Sequence, residues 1–169
     1  MSEVPTFKFA LTKELITYCE MTSKDPEAWL PKQANYTDTG WDVRCAELVG
    51  AEFFHRDYQM IKLGFRVFSP PGWWLALKPR SSSFVKNHIH ALYGTIDESY
   101  EGEVKFCGQL VCAPGLKQHL FIPFGDKIGQ LIPVRRDEML VESVSNEDFD
   151  KLCTERNAKR GSGGFGSTG

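Results

Sequence analysis

Residues 60–78 read MIKLGFRVFSPPGWWLALK. Two apolar alternations flank a Ser-Pro-Pro-Gly turn. In the first, Ile61, Leu63 and Phe65 alternate with Met60, Lys62 and Gly64, and the run ends at Val67. In the second, Trp73, Leu75 and Leu77 share one face while Trp74, Ala76 and Lys78 share the other. A period of two belongs to β-strands, because successive side chains leave opposite faces of the pleat. Further runs follow at 104–111, 119–124, 128–134 and 139–144, punctuated by Pro114-Gly115, Gly125-Asp126 and Arg136-Asp137. Many short strands at regular spacing predict an all-β sandwich or barrel.

Helix is expected only in short pieces. Thr12 is placed to cap a helix over 12–22, with Glu14 in its first turn and Leu15, Ile16 and Cys19 on one face. Ser145-Asn146-Glu147-Asp148 has the form of a capping box before Phe149 and Leu152, which predicts one helical turn. Turn formers fill 24–40, and the sequence contains no internal repeat.

The chain has 169 residues, enough for one domain with its own core. Its 20 Lys and Arg nearly balance 22 Asp and Glu, so no basic surface points to nucleic acid. The start, MSEVPTFKFALTKEL, lacks a basic cap followed by an apolar stretch, and no apolar run is long enough to span a bilayer. The expectation is a soluble, cytoplasmic protein with no membrane partner. Five cysteines (19, 45, 107, 112 and 153) form an odd set without CxxC spacing, which reads as reduced thiols. His88 and His90 would share a face on a strand and read as a surface or interface pair rather than metal ligands. A P-loop is excluded, since no GxxxxGK[ST] occurs.

Three segments carry chemistry. GTIDESYEG at 94–102 reads as a hairpin or tight loop presenting Asp97 and Tyr100. KPRSSSF at 78–84 offers a guanidinium fork, hydroxyls and backbone N–H groups, the donors that hold phosphate oxygens. RGSGGFGSTG closes the chain at 160–169. One phenylalanine cannot offset about 1–2 kcal/mol of ordering entropy for each of those residues. The segment is therefore expected to leave the domain near residue 154 as an arm. Its arginine, hydroxyls and glycine N–H groups suit a phosphate, and Phe165 suits stacking on a flat ring.

Together these segments resemble the trimeric dUTPases over about residues 34–169. Five motifs stand in that family's order: ANYTDTGWDVRCAE at 34–47, PRSSS at 79–83, GTIDESYEGEV at 94–104, GDKIGQLIPV at 125–134 and RGSGGFGSTG. The resemblance implies a β-barrel or jelly-roll-type domain over 34–154. It would follow an N-terminal extension at 1–33 and end in a flexible arm at 155–169. It implies hydrolysis of dUTP to dUMP and pyrophosphate, which keeps uracil out of DNA and supplies dUMP for thymidylate synthesis. Asp97 would be the catalytic base, and Tyr100 would pack on the deoxyribose. Backbone groups of Gly94, Thr95 and Ile96 would read the uracil edge. Arg80, Ser81 and Ser82 would hold phosphates and support the catalytic aspartate, Gln130 would position phosphates or water, and Asp42 would have a supporting role near the metal-bound triphosphate. Arg160 and the hydroxyls of Ser167 and Thr168 would grip the γ-phosphate while Phe165 stacks on uracil, and glycines such as Gly166 would let the backbone approach the phosphates. Magnesium (Mg2+) would be held by the triphosphate and waters with no direct protein ligand. The family forms a homotrimer with shared sites, the arm coming from a neighbour.

The chain departs from the family at Trp41, where a small apolar residue is usual, and at Ser82, where glycine is common. Two alternatives stay open. A dCTP deaminase shares the fold but lacks the GGFGSTG arm. A dUTPase-like regulatory protein would act through a protein partner, for which the N-terminal extension leaves room.

Overall fold

The computed structural model describes residues 4–111 and 119–156. Two units divide the chain, Met1–Arg136 and Asp137–Gly169. The first unit contains eleven strands among its described residues: β1 (Lys8–Leu11), β2 (Trp41–Arg44), β3 (Ala51–Phe54), β4 (Tyr58–Lys62), β5 (Phe65–Phe68), β6 (Trp73–Pro79), β7 (Ile89–Ala91), β8 (Gly94–Ile96), β9 (Lys105–Leu110), β10 (His119–Ile122) and β11 (Lys127–Arg135). Helix α1 (Lys13–Met21), a 3₁₀ turn (Pro26–Trp29) and helix α2 (Ser81–Val85) complete it. Every strand pair is antiparallel. The sheets run β2-β11-β6-β8, β4-β9-β7, β1-β5 and β10-β3. The fold is all-β with short helices, as the alternation predicts.

The alternation also sets the core. Phe65 and Val67 are buried in β5 while Arg66 and Phe68 face out, and β9 buries Phe106 and Leu110 in the same way. Phe53, Phe65, Phe106, Leu75, Leu131 and Val43 are among the side chains that exclude water completely or nearly so. The run through 60–67 is two strands rather than one. Gly64 breaks it with φ +77°, a left-handed conformation that side chains resist. A Cβ there would also stand 2.6 Å from Leu15 Cδ2 and 2.9 Å from Ala46 Cβ. Helix α1 packs against that gap, so β4 joins one sheet and β5 another.

Helix α1 begins as the sequence predicts, with Thr12 Oγ1 accepting from Leu15 N at 3.4 Å and with Leu15 and Cys19 buried. Strand β1 before it is an element that the alternation does not predict. It pairs with β5, from Lys8 opposite Phe68 to Leu11 opposite Phe65. It also answers how Trp41 is accommodated. The rings of Phe7 and Phe9 stand edge-on to Trp41, with centroids 5.5 and 6.0 Å away.

Three local expectations fail for identifiable reasons. Residues 139–144 form no strand, and Leu140 and Val141 are fully exposed. Among the described residues their unit holds only helix α3 (Asn146–Arg156), so no neighbouring strand completes a ladder. Helix α3 itself runs 11 residues rather than one turn. Ser145 caps it as expected, its Oγ accepting from Asp148 N at 3.1 Å, and Lys151 pairs with Asp148 one turn on. His88 lies outside β7 at φ +53°, so it does not share a strand face with His90. Among the described residues no helix is long and apolar enough to cross a membrane.

Candidate active site

Strand β11 lies between β2 and β6, and its register sets Gln130 opposite both Asp42 and Lys78. Strand β6 ends at Pro79, and Arg80 takes the N-cap position of α2. The serines that follow it form a short helix rather than an open loop. It is tied down by Ser83, a buried residue whose hydroxyl donates to Ile128 O at 2.8 Å. These three elements bring Asp42, Arg80, Ser81 and Gln130 around one cavity of 450 Å³, together with Asp38, Thr39 and Gly40. Ser82 follows in α2, half-buried and outside that lining.

Asp42 is the hub of the cluster, with its side chain only 14% exposed. Its Oδ1 lies 3.2 Å from Arg80 Nε, and its Oδ2 lies 2.7 Å from Lys127 Nζ. Gln130 Nε2 donates to Pro79 O at 3.4 Å, and the carboxamide lies across Gly40. Asp38, the other carboxylate of the cavity, accepts from Asn35 N and Nδ2. Both carboxylates are thus engaged by protein donors. Arg80, Ser81 and Gln130 present donors suited to phosphate oxygens.

Asp97 lies at the other end of β6. Strand β8 is an edge strand that pairs only with β6 among the described residues, with Ile96 opposite Leu75 and Gly94 opposite Leu77. It is not one arm of a hairpin with β9. The chain turns tightly after it, Tyr100 N donating to Asp97 O at 3.0 Å. In an antiparallel ladder alternate residues turn both backbone groups toward the partner or both away. The open side of β8 therefore presents the N–H and C=O groups of alternate residues within Gly94–Ile96. The Ile96 side chain is buried in the core.

Glu98 fixes the turn that carries Asp97. Its Oε2 accepts from Gly72 N at 3.0 Å and pairs with Arg136 Nη2 at 3.2 Å. Arg136 N in turn donates to Gly72 O at 2.8 Å. Thr95 and Asp97 line a cavity of 590 Å³ with Ser69, Trp74 and Arg136. Tyr100 faces an adjoining cavity of 520 Å³ beside Phe9 and Arg66. Its hydroxyl donates to Glu103 O at 2.9 Å, and its ring lies against Gly102, where a Cβ would come within 2.7 Å of Cζ.

The expected site residues thus fall into two clusters. Leu75, the partner of Ile96, is five positions from Arg80 along β6. Asp97 is one residue further from Arg80 in this antiparallel pairing. At about 3.3–3.4 Å per residue the two clusters are about 20 Å apart. Arg160, Phe165, Gly166, Ser167 and Thr168 lie outside the described residues. Sequence reasoning missed Lys127, Ser83 and Glu98, although each stands inside a quoted motif. No rule of spacing separates them from their solvated neighbours.

An antiparallel β protein with a polar cavity around Arg80 at one end of a central strand and a carboxylate turn at the other is the class that fold and site define. The dUTPase family profile matches residues 27–169. The chain belongs to the dUTPase family. It is 33% identical over 154 residues to the deoxyuridine 5'-triphosphate nucleotidohydrolase of Gloeothece citriformis, covering 89% of this chain and 95% of that one. The corresponding protein of Candida albicans is 30% identical over 148 residues, covering 86% and 84%. Among solved structures, the Staphylococcus bacteriophage 80alpha dUTPase with dUpNHpp superposes with a TM-score of 0.74 at 22% identity, covering 97% of this chain and 98% of that one. A mutant dUTPase from phage phi11 of S. aureus, in which a structural Mg(II) ion is coordinated, gives 0.67 at 21% identity, covering 83% and 97%. At those identities the structural likeness is one of fold.

Proposed function

We propose that this chain hydrolyses dUTP to dUMP and pyrophosphate. The observation that carries the proposal is the convergence of Asp42, Arg80, Ser81 and Gln130 on one cavity in a chain of this family. Asp97 acts as general base. Its carboxylate takes the proton of the water that attacks the α-phosphorus, and the pyrophosphate leaves. Such a base must stand within about 2.6–3.2 Å of the proton's oxygen. Glu98 serves that requirement by pinning the turn. Tyr100, oriented through its hydroxyl bond, packs on the deoxyribose and leaves no room for a 2′-hydroxyl. The open edge of β8 reads uracil, and cytosine would mispair there at about 1–3 kcal/mol per buried group.

Arg80, Ser81 and Gln130 hold phosphate oxygens, with Ser82 adding the first turn of α2. Asp42 orients Arg80. Arg160, Gly166, Ser167 and Thr168 close on the γ-phosphate, and Phe165 covers the base. That closure excludes water other than the attacking molecule. The carboxylates of the cavity are already engaged, which fits a magnesium ion held by the triphosphate and waters, as this cation prefers. When bound, the ion neutralises phosphate charge. The separation of about 20 Å between Asp97 and Arg80 supports a site assembled between copies, in a homotrimer whose arm comes from a neighbour.

Product analysis tests this reading. The protein is incubated with magnesium and, separately, dUTP, dCTP, UTP and dTTP. The expected result is dUMP and pyrophosphate from dUTP alone, with no turnover by Asp97→Asn. Loss of the amine from dCTP would place the chain with the deaminases instead.

A further inference from the structure

We infer that Lys127 is a positioning residue for the phosphate-binding arginine and acts through Asp42. The inference rests on the reading of the Arg80 cavity as the phosphate site. Lys127 and Gln130 are three residues apart on β11. On a regular strand an odd separation sends two side chains to opposite faces. The register of β11 against β2 shifts between Lys127 and Gly129, which pair with the consecutive residues Arg44 and Val43. Such a bulge inserts one residue and re-aims the side chains before it. Ile128 is the extra residue, and its side chain is buried. The bulge returns Lys127 to the face where Gln130 and Asp42 stand, and its Nζ closes to 2.7 Å of Asp42 Oδ2.

The consequence concerns which donors Arg80 offers. A carboxylate with both oxygens free takes a guanidinium as a two-point fork, using two of its N–H groups at once. Lys127 occupies Oδ2, and Arg80 meets Asp42 through Nε at Oδ1, 3.2 Å away. The terminal nitrogens of Arg80 are thereby kept for an incoming phosphate. Lys127 also offsets the charge of Asp42, which would otherwise repel that phosphate from a position only 14% exposed. Without the lysine, Arg80 folds onto Asp42 and the cavity loses a donor pair.

The test is steady-state kinetics on dUTP with Lys127→Met, Lys127→Arg, Asp42→Asn and the double variant Asp42→Asn/Lys127→Met. Lys127→Gln replaces the methionine variant if that one does not fold. The expected result for Lys127→Met is a KM raised about tenfold or more, with kcat within about twofold of the wild type. Lys127→Arg restores KM. In the Asp42→Asn background the lysine substitution adds nothing, because the residue it acts through is gone. A wild-type KM for Lys127→Met overturns the inference. So does a KM penalty that persists undiminished beside Asp42→Asn, since that would mean direct contact with the ligand. Wild-type turnover of dUTP tests the functional reading by itself. If that reading fails, calorimetric binding of inorganic pyrophosphate to the wild type and Lys127→Met decides the inference. A loss of about tenfold upholds it, and equal binding overturns it.

Discussion

Gly40→Ala should separate the stability of this protein from its activity. Gly40 has no unusual backbone angle, so alanine costs nothing in conformation there. Its added methyl would instead stand 3.0 Å from Gln130 Cδ and 3.1 Å from Cβ, and closer still to Oε1. Ordinary carbon contacts lie at about 3.5–4.0 Å. The atom met first is the end of a flexible side chain, which swings aside, and the 3.1 Å contact with Cβ is left for a small backbone adjustment. The expected change in stability is within about 1 kcal/mol. Gln130 must nevertheless move by something on the order of 1 Å, and a displacement of that size in a site can cost about a hundredfold in rate. The assay pairs thermal melting with dUTP turnover, for Gly40→Ala alone and combined with Gln130→Ala. The single variant should melt like the wild type and lose about 10–100-fold in kcat/KM. Beside Gln130→Ala the same substitution should cost nothing further. Full activity in Gly40→Ala, or an undiminished loss beside Gln130→Ala, would refute the reasoning.

Phe9→Ala removes a ring packed edge-on to both Trp41 and Phe65, and should destabilise the fold by about 2–3 kcal/mol in denaturant titration, with Phe9→Leu recovering most of it. Ser83→Ala deletes a buried donor to Ile128 O and should cost about 1–2 kcal/mol by the same measurement. Burial pushes the Cys45 thiol up to about 11 from 9.0, so the folded state favours the neutral thiol. Its contribution is complete below pH 9 and is lost as pH rises through about 11. Stability should therefore fall across that window by about 2–3 kcal/mol, a decline that Cys45→Ala removes. Equal slopes for the two proteins between those pH values would show that the thiol has no such role.

Much of the fold was legible in the sequence because burial follows alternation. Phe65 and Val67 are buried and Arg66 is not, as a period of two requires. Strand β1 escaped because four residues immediately before a well-capped helix give too short a pattern to weigh. Residues 139–144 misled for the opposite reason. Their apolar content suits a strand, but pairing depends on a neighbour that the sequence does not display. The candidate site divides along the same line. Asp42, Arg80, Ser81 and Gln130 were found as members of motifs, and strand register brings them to one cavity. Their distance from Asp97 follows from pairings of β6 that no local pattern encodes. Lys127 was hidden further, since a one-residue bulge decides which face it takes.

The central claim is that Asp97 and Arg80, at opposite ends of β6, serve one substrate from different copies of the chain. Complementation tests it most directly. Asp97→Asn and Arg80→Ala are each prepared as inactive proteins, then mixed under conditions that exchange subunits, with mixed oligomers verified by differential tagging. The account predicts that dUTP turnover returns in the mixture, because a site formed between unlike copies can have both residues intact. Verified mixed oligomers that stay inactive would contradict it and place both residues in the same chain's site.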